Sequence, residues 1–212
     1  MKRMMETVLL AFAGMITVSS CTKDAMDNLT EEESRIYITN RDNSVNFGNY
    51  KTYSISDSVY VIDNNNLAGQ QATAIDQQTL AVVRSSLESR GYVRVNRSQS
   101  PHLGINVSRL YNTSTSLVDL SYYWGGYGGY YDPYYWGYGG YGYGYPPAYG
   151  YVQSTEAMLS VDILDLKNAA ANGNIRIIWN GLIRGSGVFN SNAIASGVQA
   201  LFAQSPYLKT VQ

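Results

Sequence analysis

Two periods of apolar and polar residues alternate along this chain, and the switches between them mark its elements. Ile75, Thr79, Val82, Val83 and Leu87 recur at helical spacing, while Arg84, Glu88 and Arg90 fall largely on other faces. This spacing predicts a helix over residues 72–90. Gly91 follows where glycine ends a helix in the left-handed conformation without a Cβ penalty. Ser191 or Asn192 is predicted to cap a last helix, with Ile194, Val198, Leu201 and Phe202 as one apolar stripe and Pro206 just past its end.

Elsewhere the period is two. Residues 50–62 (YKTYSISDSVYVI) are rich in β-branched and aromatic side chains around a central Ser-Asp, which predicts one or two strands with a bend. Residues 63–71 read as a mostly polar loop and residues 92–95 as a short strand. Leu103, Ile105 and Val107 alternate with Gly104, Asn106 and Ser108, the pattern of a half-buried strand. Leu159, Val161 and Ile163 alternate in the same way with Ser160, Asp162 and Leu164. Asn172-Gly173 is a turn signal leading into residues 175–183, so the two runs close a hairpin. The order of elements predicts an α+β fold: a mostly antiparallel sheet with two helices on one face. Leu87, Leu159, Val161, Trp179 and Leu201 are the expected core.

One apolar run has no period. Met1-Lys2-Arg3 precedes an eleven-residue stretch, VLLAFAGMITV, over residues 8–18, then Ser19-Ser20-Cys21. The run is too short to span a bilayer and has the layout of a secretory signal. Its end resembles the lipobox of bacterial lipoproteins, in which the cysteine becomes the lipidated first residue. Cys21 is therefore the expected lipidation site and the membrane the first expected partner, because two or three acyl chains hold a protein at a bilayer far more firmly than one. On this reading residues 1–20 are a signal peptide, 21–35 an acidic flexible tether and 36–212 one α+β domain. Thr22 does not resemble the aspartate that retains some lipoproteins at the inner membrane. The expected location is the outer membrane, on its periplasmic side or at the cell surface.

Removing Lys2, Arg3 and Glu6 with the leader leaves 13 basic and 15 acidic side chains. That balance excludes the concentrated basic footprint that nucleic acid requires. No cysteine follows Cys21 and the chain has one histidine, His102, so neither a disulfide framework nor a common zinc site is expected. No cofactor is expected either. His102 stands beside Pro101 and suits a surface or capping role. Gly137 to Gly142 satisfies the spelling of a dinucleotide fingerprint but lacks the preceding strand and following helix. Asp162 and Asp165 are three apart on a strand and point to opposite faces, a poor carboxylate pair. No catalytic constellation emerges.

Residues 122–151 interrupt the alternation. These 30 residues hold 13 Tyr, 10 Gly, 2 Trp and 3 Pro, with no aliphatic side chain larger than alanine. The expectation is a long, largely irregular loop, dispensable for folding. It reads as a flexible spacer, as a self-associating segment, or as a contact surface in which tyrosines offer broad amphipathic area and aromatic faces on which sugar rings stack. Tyr123, Trp124, Tyr130, Tyr135, Trp136 and Tyr143 are the candidate contact residues, with an envelope protein or glycan as partner.

Several of these pieces occur in a familiar order. They are the lipidated cysteine, Phe47 with Tyr50-Lys51-Thr52-Tyr53, Leu87 with Arg90-Gly91-Tyr92, and Tyr151. Leu159-Ser160-Val161-Asp162-Ile163 before Asp165, Trp179-Asn180-Gly181, and Phe202 with Pro206 complete the set. Together they resemble the lipoprotein family defined by the domain of unknown function 4136, over roughly residues 40–206. The resemblance implies a location and a fold class but no reaction. The expected function is a lipid-anchored binding or structural module of the envelope. The rival is an enzyme acting on cell-wall or glycan material, which requires carboxylates distant in sequence, such as Asp76 and Asp162, to converge.

Overall fold

The computed structural model of the protein describes residues 30, 33–63, 66–112, 116–119, 135–144, 149–152 and 156–211. Cys21, most of the tether, Tyr123, Trp124 and Tyr130 lie outside the described residues. Nine strands join in one sheet whose main path runs β1 (Ile36–Arg41), β11 (Asn174–Arg184), β10 (Glu156–Asp165), β6 (Leu103–Asn112), β2 (Thr52–Ile55), β5 (Val93–Arg94). β3 (Val59–Asp63) also lies along β6 and carries β4 (Asn66–Gln71) on its outer edge; β8 (Gly142–Gly144) lies along β11.

The sheet is mixed, which corrects the mostly antiparallel expectation. β1, β11, β10 and β6 are antiparallel neighbours, but β2 runs parallel to both β6 and β5, β3 parallel to β6, and β8 parallel to β11. Residues 50–62 act as one long strand broken at Ser56–Ser58. Its first half pairs with Leu103 to Ile105 and its second with Ser108 to Tyr111 of the same neighbour. A parallel return to β5 then needs a crossover, which helix α1 (Ala74–Glu88) supplies. Residues 66–71, read from sequence as loop, form β4 instead: their polar side chains suit an exposed edge strand in a hairpin with β3.

Local chemistry fixes the helices. Thr73 and Asp76 form a reciprocal capping box at the start of α1. At the other end Tyr92 N–H donates to Leu87 C=O and Gly91 N–H to Glu88 C=O, with Gly91 at φ 88°. This is a Schellman motif, and Leu87 and Tyr92 share one core. α2 (Ala169–Asn172) is a single turn inside the β10–β11 loop, closed by Gly173 at φ 66°. α3 (Ser191–Ala203) is capped by the Asn190 side chain, one residue before the predicted cap.

α1 and α3 pack on each other and share one core with the sheet. Leu87, Leu159, Val161, Trp179 and Leu201 are all buried there, as expected. An extra residue in β11 between the partners of Ile163 and Leu164 turns both Ile178 and Trp179 into this core. Gly181 leaves room for the Trp179 ring: a Cβ there would sit 2.5 Å from it. Trp179 Nε1–H donates to Ser205 Oγ at 2.9 Å.

A second core lies on strand positions of the other parity, formed by Ile62, Leu110, Met158, Leu164, Leu166, Ala169, Ile175, Ile177 and Leu182. Trp136, only 5% exposed, belongs to it. Tyr135 and Tyr138 pack against this core, and Tyr138 O–H donates to Leu166 C=O at 2.8 Å. β7 (Ser116–Asp119) and β9 (Tyr149–Val152) pair antiparallel and extend the β6–β10 hairpin into the aromatic segment. Residues 135–144 of that segment thus pack on and pair with the large sheet, and residues 149–151 belong to a second, two-stranded sheet, where the sequence predicts a largely irregular loop.

Candidate functional site

Tyr135 of the aromatic segment meets the rest of the chain at a groove of about 490 Å³, lined also by Ser54, Ile55, Asp57, Arg94, Val95, Asn96, Arg97 and Gln99. It opens at the carboxyl ends of the parallel strands β2 and β5, beyond Ile55 and Arg94. The bend after β2 presents Asp57, whose carboxylate takes Arg84 at 2.7 Å and Arg94 at 3.2 Å. Residues Arg97–Gln99 form one 3₁₀ turn across the groove. Asn96 N–H donates to Gln99 Oε1 at its start, and Ser100 ends it at φ 51°. Ser100 is the one non-glycine residue with positive φ among the described residues, so the turn is held in a conformation that L-residues rarely adopt.

Arg97 stacks its guanidinium 4.5 Å from the centre of the Tyr135 ring. Tyr135 in turn meets Trp136 edge-on, with centroids 4.8 Å apart. A buried indole therefore holds a half-exposed phenol, which holds an exposed guanidinium in line. Of the six candidate contact residues, this places Tyr135 at a surface groove and Trp136 in a core. Trp136 is a correction: with its ring buried, it anchors the segment rather than offering a face to a partner. Tyr143 lies in β8, paired with Ile175. Tyr123, Trp124 and Tyr130 fall outside the described residues.

A second polar feature crosses the sheet. Asn40, Asn180, Asp162 and Asn106 stand in one register line over four neighbouring strands. Alternation assigns such residues to solvent, yet Asn106 and Asp162 are 0% exposed and Asn180 is 2%. Asn180 Nδ2 donates to Asp162 Oδ1 at 2.5 Å and to Ser160 Oγ at 2.9 Å. Both amide atoms of Asn106 and the Ser108 hydroxyl lack a hydrogen-bond partner among the described residues. Each such group carries a desolvation penalty of about 1–3 kcal/mol. The chain retains this strip at a cost in stability.

The carboxylates do not converge. Asp76 Oδ1 takes Arg109 at 2.5 Å and its other oxygen closes the α1 capping box, on the helix side of the sheet. Asp162 lies at strand positions of the opposite parity. Asp165 accepts from Tyr50 O–H at 3.0 Å and from Asn168 Nδ2 at 2.7 Å, beside a cavity of about 350 Å³. Burial first, and then the Asp165 carboxylate, push the Tyr50 hydroxyl well above its ordinary pKa, so it stays a proton donor in this bond. His102 Nδ1 accepts from Lys51 N–H at 3.1 Å, and His102 N–H donates to Thr52 Oγ1 at 3.0 Å. The histidine ties the start of β2 to β6. No group of three or more His, Cys, Asp or Glu side chains that could hold a metal occurs among the described residues.

With this fold in view, the chain belongs to the family described as Domain of unknown function (DUF4136), whose model matches residues 38–207. It is similar to the crystal structure of a DUF4136 family protein from Bacteroides thetaiotaomicron, at 29% identity and TM-score 0.67, over 83% of this chain and 98% of that one. It also matches the PelC dodecamer from Paraburkholderia phytofirmans at 10% identity and TM-score 0.39, over 84% of this chain and 99% of that one. No curated protein matches.

Proposed function

We propose that this protein is a lipid-anchored component of the outer membrane that acts as a binding module, with the Tyr/Gly-rich segment as its contact surface. Cys21 carries the lipid, the acidic tether over residues 21–35 spaces the domain from the bilayer, and the module faces the periplasm or the outside of the cell. The order of basic start, short apolar run and small residues before Cys21 supports the anchoring. The observation that carries the binding reading is the Trp136–Tyr135–Arg97 chain. It fixes the middle of the segment to a rigid sheet and leaves a half-exposed aromatic ring beside a polar groove. Aromatic contact residues work best when supporting residues pre-order them. No helix among the described residues is long and apolar enough to cross a membrane.

The test uses the soluble chain from residue 22 onward, coupled to a resin and exposed separately to the protein and glycan fractions of envelope extract. One variant replaces residues 122–134 with a short Gly/Ser link and carries Tyr135→Ala. The proposal expects a retained fraction that this variant loses while its unfolding stays cooperative. Equal retention by both proteins refutes the segment as contact surface.

A further inference from the structure

We propose that the groove beside Tyr135 binds an anionic saccharide. In this site the part of the Tyr135 ring that Arg97 leaves uncovered contacts the sugar, and Arg97 with Arg94 donates to its acidic group. The inference rests on the binding-module reading and specifies its ligand class.

Arg97 carries the argument. Arg84, Arg94, Arg109 and Arg176 all have carboxylate partners in a chain of net charge −1. Arg97 is exposed and has no hydrogen bond or ion pair among the described residues; its guanidinium lies over the Tyr135 ring. Stacking fixes the plane of a guanidinium and leaves its N–H edge free for two parallel bonds to a carboxylate or phosphate. The 3₁₀ turn ending at Ser100 holds the Arg97 backbone, and the buried Trp136 holds the Tyr135 ring. The cation is thus ordered before any ligand arrives, which lowers the entropy lost on binding.

The charge balance favours an anion. Among the lining residues two guanidiniums, Arg94 and Arg97, stand against one carboxylate, Asp57, which also takes Arg84 from α1. The walls favour a saccharide over an acidic peptide. Asn96, Gln99 and Ser54 supply polar groups for hydroxyls, Tyr135 supplies aromatic surface, and the aliphatic part of the lining is limited to Ile55 and Val95. The volume of about 490 Å³ lies within the range of about 300–1,000 Å³ typical of small-molecule sites.

The experiment titrates the soluble chain with digalacturonate, glucose 1-phosphate, neutral digalactose and a short poly-glutamate, at low and high salt. Heat and tryptophan fluorescence are read together, with Trp124→Phe and Trp179→Phe variants assigning the Trp136 part of the signal, since that indole touches the Tyr135 ring. The expected result is at least tenfold tighter binding of one acidic sugar than of digalactose, weakening with salt. Which acidic sugar binds tells a carboxylate from a phosphate. Arg97→Gln should cut acidic-sugar affinity at least fivefold, Tyr135→Ala should weaken both sugar types, and Lys209→Gln, on another face, should change nothing. Circular dichroism verifies that each variant folds. Digalactose binding as tightly as the acidic sugars, or an Arg97→Gln variant that binds as wild type, overturns the inference but leaves the binding-module reading intact. Poly-glutamate matching the best acidic sugar overturns the saccharide assignment. No binding of any probe overturns the inference alone, because retention of an envelope protein is measured separately.

Discussion

Replacing Trp136 with alanine tests whether the aromatic segment is part of the fold. The ring is 5% exposed and shares a core with Leu164, Leu166, Ala169 and Ile175. A buried Trp→Ala change costs about 3–5 kcal/mol in transfer and cavity terms. The lower end applies here, because the segment bearing Trp136 can shift into part of the space it vacates. The expected loss is about 3 kcal/mol. With a urea slope of about 2–3 kcal/mol/M for a chain of this size, the midpoint should fall by about 1 M. Gly104 sharpens the test. A Cβ built there lies 3.1 Å from Trp136 Cε2 and Cζ2 and 3.1 Å from Leu166 Cδ1, tight for all three atoms. Gly104→Ala should therefore cost about 1–3 kcal/mol in the wild type by overpacking, and markedly less beside Trp136→Ala. Urea unfolding of the four proteins of this cycle, followed by far-UV circular dichroism, gives the coupling. A Trp136→Ala loss within about 0.5 kcal/mol, or strictly additive costs, would refute the packing described here.

Other outcomes follow from the same structure. Ser108→Ala should be neutral or stabilising by about 1 kcal/mol in the same urea assay, because it removes a buried hydroxyl that has no partner. Leu159→Ala should cost about 2–5 kcal/mol, since that side chain is buried in the helix-side core. Arg109→Leu should cost about 3–5 kcal/mol by leaving the buried Asp76 carboxylate without its cation. Burial first, then Lys167 and Lys51, hold His102 below its ordinary pKa of 6.5. Below about pH 6.5 the unfolded chain takes up that proton before the folded one, so stability should fall as the pH drops through this window. In pH-dependent unfolding, His102→Gln should lack that part of the slope; identical slopes would show that His102 does not contribute it.

Periodicity made much of the helix-side core legible. The α1 and α3 stripes and the inward positions of β6 and β10 repeat with the period of their own element, so each names its buried face without help from the rest of the chain. Strand neighbours are a different kind of information. Alternation says which side of residues 50–62 is buried, but not that β6 runs parallel beside them. β4 escaped because an edge strand with polar side chains carries no buried face to repeat. The second core was hidden by composition. Trp136 sits in a Tyr/Gly-rich stretch, and its burial depends on space supplied by Gly104, 32 residues earlier. That glycine was the available signal, since an isolated glycine inside an alternating strand marks close approach by another group. The groove joins Asp57, Arg97 and Tyr135 from three separate turns, a juxtaposition that no local pattern contains.

Fatty-acid labelling in cells tests the account's central claim, that this chain works from a lipid anchor in the envelope. Wild type and Cys21→Ala are expressed with a clickable palmitate analogue, and inner and outer membranes are separated. The account predicts label on the wild type in the outer-membrane fraction, and an unlabelled Cys21→Ala protein that is not cleaved by the lipoprotein peptidase. Equal labelling of the two proteins, or an unlabelled wild type recovered in the soluble fraction, would contradict it.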